Sequence, residues 1–151
     1  MTSIADELLA AVEAAAARFR TLDEPRTARR PAPGKWSAKD IVGHLIDSAA
    51  NNHQRFVRAQ LAGPLVFPAY EQDEWVVCQD HGSRPWDDLV ELWRQYNRHI
   101  AHLMRRLPAD RREVECRIGD NEPVTLAWLM ADYVRHLRHH VRQIEELIGP
   151  A

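Results

Sequence analysis

Three histidines lie at positions where a metal site would need them. His136 and His140 are four residues apart in the last amphipathic segment of the chain, and His44 lies near the start of an earlier segment. Residues four apart on a helix are one turn apart and face the same way, so two such imidazoles can share one ion. A third imidazole from a facing helix would complete a three-histidine site with one coordination position open, as a catalytic metal requires.

The helical wheel separates these three histidines from their neighbours. At about 100° per residue, His140 lies roughly 50° and His136 roughly 90° from the centre of the apolar stripe of the last helix, whereas His139 lies roughly 150° away. His44 also flanks the apolar stripe of its own helix, and His53 points about 180° away from His44. The wheel therefore predicts that His44, His136 and His140 lie at the edge of the core.

Both the histidines and the polar residues near them have plainer interpretations. A histidine pair four apart also arises by chance, and a lone His44 beside a core can be a hydrogen-bonded structural residue. Ser48, Asn51 and Arg55 follow His44 at spacings of four, seven and eleven. Such a polar row forms either the wall of a pocket inside a bundle or a solvated helix face.

Four amphipathic segments of about 20 residues must position these side chains. Ser37 with Asp40 is a helix start signal, and Thr125 can cap the last helix. The apolar periodicity predicts an all-α, four-helix bundle. The predicted helices span residues 4–22, 38–61, 85–107 and 126–148.

Two connections carry further features. A long connection between the second and third helices, residues 62–84, holds an aromatic and acidic patch, Tyr70-Glu71-Gln72-Asp73-Glu74-Trp75. Loops of this length are commonly functional or mobile, so the patch is either loop packing or the lid of a pocket. Residues 113–124 fit a short hairpin or an irregular loop equally well.

Composition sets broader limits. The 151 residues predict a single domain, 1–151, with a real core. A net charge of −2 gives no global basic field for nucleic acid, and no apolar run approaches the roughly 20 residues of a membrane span. Cys78 and Cys116 are isolated, and the first residues lack a secretory signal, which together favour a cytoplasmic setting.

Three stretches of sequence resemble the DinB-like superfamily and, within it, the YfiT-like metal-dependent hydrolases. The paired helical histidine motifs are the more specific part, and together the stretches span residues 36–144. The matching residues are Trp36, Ser37, Asp40, Ile41, Val42, His44, Leu45, Asp47, Ser48, Asn51, Arg55 and Phe56; then Tyr70, Glu71 and Trp75; then Trp128, Tyr133, Val134, His136, Arg138, His139, His140 and Ile144.

The resemblance implies a four-helix bundle, often a homodimer, that binds one divalent metal ion. Carried over by position, the ligands are His44, His136 and His140, and the ion is nickel or zinc, or in some members iron. Related branches look like transferases that use mycothiol, bacillithiol or glutathione as a low-molecular-weight thiol co-substrate.

The expected function is therefore that of a metal-dependent hydrolase acting on a small molecule. A divalent ion lowers the pKa of bound water from about 15.7 toward about 7. The same open position suits a thiolate, which is the chemistry of a thiol-dependent transferase. A third alternative, of another class, is a bundle that the metal merely braces and that binds a ligand or partner without catalysis.

No residue is assigned as the general base. Glu71, Asp73, Glu74 and Asp47 are acidic candidates, and their spacing alone places none of them beside the ion. The residues expected to orient the ligands or to contact substrate are Asp47, Ser48, Asn51, Arg55, Tyr70, Glu71 and Trp75.

Overall fold

The computed structural model describes residues 1–149, in which helices dominate. The helices are α1 (Ile4–Phe19), α2 (Glu24–Ala28), α3 (Ala38–Leu61), α4 (Gln72–Gln79), α5 (Trp86–Arg105) and α6 (Leu126–Ile148). The strands are β1 (Leu65–Phe67), β2 (Glu115–Ile118) and β3 (Val124–Thr125), and single 3-10 turns span His81–Ser83 and Ala109–Arg111.

The four long helices, α1, α3, α5 and α6, form the predicted bundle. Helix α1 packs against α5 and α6, and α3 packs against the same two helices. Their apolar stripes meet in one core, in which Phe19 lies between Trp86 and Trp93 at ring-centroid distances of 5.8 and 5.9 Å. This burial of aromatic and aliphatic area is the main force that holds the bundle together.

Capping residues fix the ends of the helices that carry the histidines. The Ser37 hydroxyl accepts a hydrogen bond from the Asp40 N–H, and the Asp40 carboxylate accepts one from the Ser37 N–H. This capping box starts α3, and the Thr125 hydroxyl caps α6 in the same way through the Trp128 N–H. The predicted starts of both helices are confirmed.

The first helix ends at Phe19, three residues before the predicted boundary. The Thr21 hydroxyl donates to the Arg18 carbonyl at 2.7 Å, which satisfies a carbonyl that a continuing helix would use. The link that follows contains the short helix α2, which Asp23 caps and in whose first turn Pro25 lies.

The long connection also has a defined structure. Strand β1 pairs in parallel with β2, with Leu65 opposite Cys116, and β2 pairs antiparallel with β3. Residues 113–124 therefore form a hairpin, turned at Gly119 with φ of 57°. The sheet joins the connection to the segment before α6 and so fixes the position of β1. None of the described helices is long and apolar enough to cross a lipid bilayer.

Candidate metal centre

The three predicted histidines converge between α3 and α6. The Nε2 atom of His136 lies 3.2 Å from Nε2 of His44 and 3.1 Å from Nε2 of His140. The one-turn spacing on α6 brings His136 and His140 to the same face, and the packing of α3 on α6 supplies His44. The His44 side chain is fully buried, and the other two are partly exposed.

Burial and mutual repulsion keep these imidazoles neutral. Burial, together with the smaller effect of the neighbouring His140 and His136 imidazoles, lowers the pKa of His44 to about 3. Burial likewise lowers the pKa of His136 to about 4, and it lowers the pKa of His140. All three are therefore uncharged at neutral pH, which is the state that can donate a lone pair to a metal.

Hydrogen bonds among the three rings cannot satisfy them. A neutral imidazole Nε2 carries either one proton or one lone pair, yet Nε2 of His136 faces two other Nε2 atoms at hydrogen-bonding distance. One of these contacts therefore lacks a matched donor and acceptor. Two nitrogen ligands about 2.1 Å from a tetrahedral ion lie roughly 3.4 Å apart, so the donor set fits a divalent cation.

Neighbouring side chains hold the rings in place. The indole of Trp36 packs on His44 at a centroid distance of 4.9 Å. Nδ1 of His140 lies 2.7 Å from Oε1 of Gln143, so an Nδ1–H donates there and leaves the Nε2 lone pair for a ligand. Nδ1 of His44 is buried without a hydrogen-bond partner in the described chain, so that imidazole is oriented by ring packing and by its Nε2 contact with His136.

A small pocket opens beside His44 and His136. Its volume is about 170 Å³, and the connection covers one side of it. The lining combines hydroxyls, amides and one guanidinium with an apolar wall. The lining residues are His44, Ser48, Asn52, Arg55, Tyr70, Gln72, Leu129, Asp132, Tyr133 and His136.

Comparison with known proteins identifies the family. The profile of the DinB superfamily matches residues 7–144, which is most of the chain. The chain belongs to the DinB superfamily. This match confirms the family that the sequence motifs indicated.

The relatives of this DinB chain carry the name of candidate metal-dependent hydrolases. One from Oceanobacillus iheyensis is 23% identical over 125 residues, which cover 83% of this chain and 72% of the relative. One from Bacillus cereus AH820 is 25% identical, and one from Geobacillus thermodenitrificans is 27% identical; each match covers 76% of this chain and 65% of the relative. The chain thus spans roughly two thirds of the length of these relatives.

Two solved structures share the fold. YfiT from Bacillus subtilis, described as a candidate metal-dependent hydrolase with an unusual four-helix bundle topology, matches with a TM-score of 0.79 at 22% identity. That match covers 95% of this chain and 85% of YfiT. A mycothiol-dependent maleylpyruvate isomerase matches with a TM-score of 0.62 at 14% identity, covering 98% of this chain and 69% of the isomerase. The expected DinB-like four-helix bundle is confirmed.

The other predicted site residues of this DinB domain divide between the pocket and its surroundings. Ser48, Arg55 and Tyr70 line the pocket. Asn51 instead donates from Nδ2 to the Asp47 carbonyl of its own helix at 2.9 Å. Asp47 accepts a hydrogen bond from Gln79 of α4 at 2.8 Å and thereby attaches the connection to α3.

Only part of the aromatic and acidic patch lines the pocket. Trp75 packs on the pocket residue Tyr70 at a centroid distance of 5.0 Å and does not itself line the pocket. Glu71 is exposed, and so are Asp73 and Glu74, in the first turn of α4. None of these three acids lines the pocket, so they are poor candidates for a general base.

The structure adds five pocket residues that sequence reasoning missed: Asn52, Gln72, Leu129, Asp132 and Tyr133. Asp132 and Tyr133 lie four and three residues before His136, so the spacing rule that linked His136 to His140 would have found them if applied toward the N-terminus. Asp132 is the acid that lines this pocket, and it pairs with Arg135 at 3.0 Å.

The hydroxyl of Tyr133 ties the pocket wall to the core, and its removal is expected to destabilise the protein. Its buried hydroxyl donates to Oδ1 of Asn97 at 2.6 Å. In a Tyr133→Phe variant the buried Asn97 oxygen loses this donor, and we expect the free energy of unfolding to fall by about 1–2 kcal/mol in urea titrations. Tyr96→Phe is the matched control, because its partner His53 is half-exposed and water can replace the hydroxyl. Equal losses in the two variants would contradict the prediction.

Proposed function

We propose that this DinB protein is a metal-dependent hydrolase whose divalent ion is bound by Nε2 of His44, His136 and His140. The observation that carries the proposal is the convergence of three neutral imidazoles beside a pocket. The names of the relatives support a hydrolase, and a pocket of this size favours a small-molecule substrate. Nickel or zinc suits imidazole ligands best, and iron is also compatible.

The residues around the histidines have separable tasks. A bound divalent ion supplies Lewis acidity, which polarises a carbonyl oxygen and lowers the pKa of water. Asp132 offers a carboxylate at the pocket that can accept a proton. Burial raises the pKa of Tyr70 and Tyr133, so both hydroxyls stay protonated and act as hydrogen-bond donors rather than as bases. Leu129 gives the pocket an apolar wall that limits water entry.

Elemental analysis tests the metal proposal directly. The purified, untagged protein should contain about one ion of nickel, zinc or iron per chain, and a His136→Ala/His140→Ala variant should contain none while keeping its helical circular dichroism. His139→Ala is the matched control, because this exposed histidine lies on the same helix, with its ring 5.1 Å from that of His140, and is not among the three whose ring nitrogens cluster. Absence of metal in the wild type after incubation with zinc or nickel would refute the proposal.

A thiol-dependent transferase is the second candidate. The match to a mycothiol-dependent isomerase supports it. The chain has no thiol in the pocket, because Cys78 is exposed on α4 and Cys116 is buried in β2. A transferred thiol would therefore come from a co-substrate. Turnover of an electrophile only when glutathione or another small thiol is added would favour the transferase over the hydrolase.

Several expectations from the sequence stay predictions. These are the homodimer, the cytoplasmic setting, the single domain 1–151, and the roles of Asp47, Asn51, Glu71 and Trp75 around the ion. The metal-braced bundle without catalysis also stays an alternative. Loss of folding, rather than of activity, in His44→Ala and in the metal-free protein would favour that alternative.

A further inference from the structure

Arg55 is a buried cation for which the described chain provides no anion. The residue is only 8% exposed, and no carboxylate of residues 1–149 lies within ion-pair distance of it. Its hydrogen bond, from Nη1 to Oδ1 of Asn52, is long at 3.4 Å, and its buried Nε has no acceptor. The guanidinium lies over the ring of Phe67 at 5.4 Å, which holds it in place without neutralising it.

A buried, unpaired guanidinium destabilises the folded protein unless an anion binds it. Buried charges in folded proteins are paired as a rule, because the lost hydration must be replaced. Arg94 illustrates the rule in this chain: its side chain is 20% exposed and pairs with Glu13 at 2.8 Å. Burial lowers the pKa of Arg55, which reports the same penalty, yet guanidinium stays charged at neutral pH. A ligand anion would supply the missing partner.

Arg55 lies where two neighbouring pockets meet, and their lining indicates what kind of molecule carries the anion. Arg55 lines the pocket that contains His44 and His136, and it also lines an adjoining pocket of about 250 Å³. Leu129 and Asp132 are shared by both, so the two pockets are neighbours. The second pocket has an apolar side formed by Ile118, Val124, Trp128 and Leu129.

We propose that Arg55 binds the carboxylate of the substrate, so that the substrate class is a small organic acid with an apolar part. This inference rests on the proposed function and names the substrate of the same site. The free Nε–H and Nη2–H edge can donate two parallel hydrogen bonds to one carboxylate. The reactive group then faces the three histidines, and the apolar part lies against Trp128 and Leu129.

The charges of the pocket favour a substrate with a single negative charge. Asp132 lines both pockets, and Glu122 lines the second one. Arg135 neutralises part of the charge of Asp132 at 3.0 Å, and Glu122 is exposed. A second anionic group on the substrate would find no second Arg or Lys in the lining of either pocket to pair with.

Binding of benzoate to metal-free protein tests the proposal without depending on the metal. We expect benzoate to bind the chelator-treated wild type and the chelator-treated His139→Ala variant, whose substitution lies outside both pockets, with similar affinity, measured by calorimetry and by the NMR shift of the Arg55 Nε–H. The neutral isostere benzamide should bind at least tenfold more weakly, since it lacks the charge that Arg55 requires.

Two variants of Arg55 complete the test. Arg55→Met should lose at least tenfold in benzoate affinity and should unfold at no lower temperature than wild type, because an unpaired buried charge is removed. Arg55→Lys keeps the charge without the paired N–H groups and should bind with intermediate affinity. Unchanged benzoate affinity in Arg55→Met, or equal binding of benzamide, would overturn the proposal.

Inorganic phosphate is the second probe. Phosphate binding tighter than benzoate would assign Arg55 to a phosphate monoester and overturn the carboxylate assignment. Failure of these binding tests with a normal metal content would refute the inference about Arg55 and leave the metal proposal intact. Absence of metal together with benzoate binding at Arg55 would refute the metal proposal and leave the inference about Arg55 intact.

Discussion

Zinc at about a thousand times its dissociation constant is expected to raise the free energy of unfolding of the metal-free protein by about 4 kcal/mol. At roughly 2–4 °C per kcal/mol, the midpoint of thermal unfolding should rise by roughly 8–16 °C. The physical reason is that the folded chain presents three convergent nitrogens, whereas unfolding separates His44 from His136 by 92 residues of chain. Calorimetric melts with and without zinc measure the shift.

The His136→Ala/His140→Ala variant should show no such shift, and His139→Ala should keep it. An equal shift in the double variant would mean that zinc stabilises the fold by binding elsewhere. The imidazoles of His53 and His99, whose ring centroids lie 4.9 Å apart, are an alternative site to test. Nickel should give the same pattern, since imidazole suits both ions.

The metal-free protein should nevertheless stay folded. Helices α3 and α6 contact each other through buried side chains as well as through the histidines, for example where the ring of Phe56 meets Tyr133 at 5.9 Å. The core formed with α1 and α5 contains no histidine of the site. A cooperative melt of the metal-free protein would argue against a bundle that the metal merely braces, and a molten state would support it.

The sequence was sufficient for the bundle and for the histidines because both depend on local spacing. The apolar period of each long helix marks its buried face, Ser37 marks the start of α3, and Thr125 marks the start of α6. One turn separates His136 from His140, so their shared face follows from helix geometry alone. His44 required the further assumption that α3 and α6 pack side by side, which the resemblance to a known family supplied.

The walls of the pocket could not be predicted because they depend on long-range pairing. No local pattern indicates that β1 pairs in parallel with β2, about fifty residues away, and this pairing places Phe67 under Arg55. The choice between Asn51 and Asn52 is of the same kind. Both amides bond back to a carbonyl of α3, and only the position of the neighbouring α6 decides that Asn52 lines the pocket.

Gly43→Ala is expected to destabilise the protein by about 1–3 kcal/mol, although alanine is favoured over glycine in a helix by about 1 kcal/mol. Gly43 lies in α3 directly beneath the imidazole of His81, and an added Cβ would overlap three atoms of that ring. The ring is 3% exposed and cannot turn toward solvent without opening the connection. Urea titrations measure the loss.

Two further variants isolate the cause of that loss. The double variant Gly43→Ala/His81→Ala should be more stable than His81→Ala alone. The reason is that His81→Ala removes the ring that a methyl group at position 43 would otherwise meet. Gly82→Ala is the matched control glycine, since a Cβ there meets open space, and it should be neutral. Wild-type stability in Gly43→Ala would contradict the close packing.

The effect of Gly43→Ala should extend to the pocket. His81 lies 3.8 Å from the carboxylate of Asp47, and the same carboxylate accepts the hydrogen bond from Gln79. Movement of His81 would therefore loosen the attachment of α4 to α3, and with it Tyr70, which precedes α4 and lines the pocket. Benzoate should bind more weakly to Gly43→Ala while zinc binds normally, because His44, His136 and His140 are held by the bundle rather than by the connection.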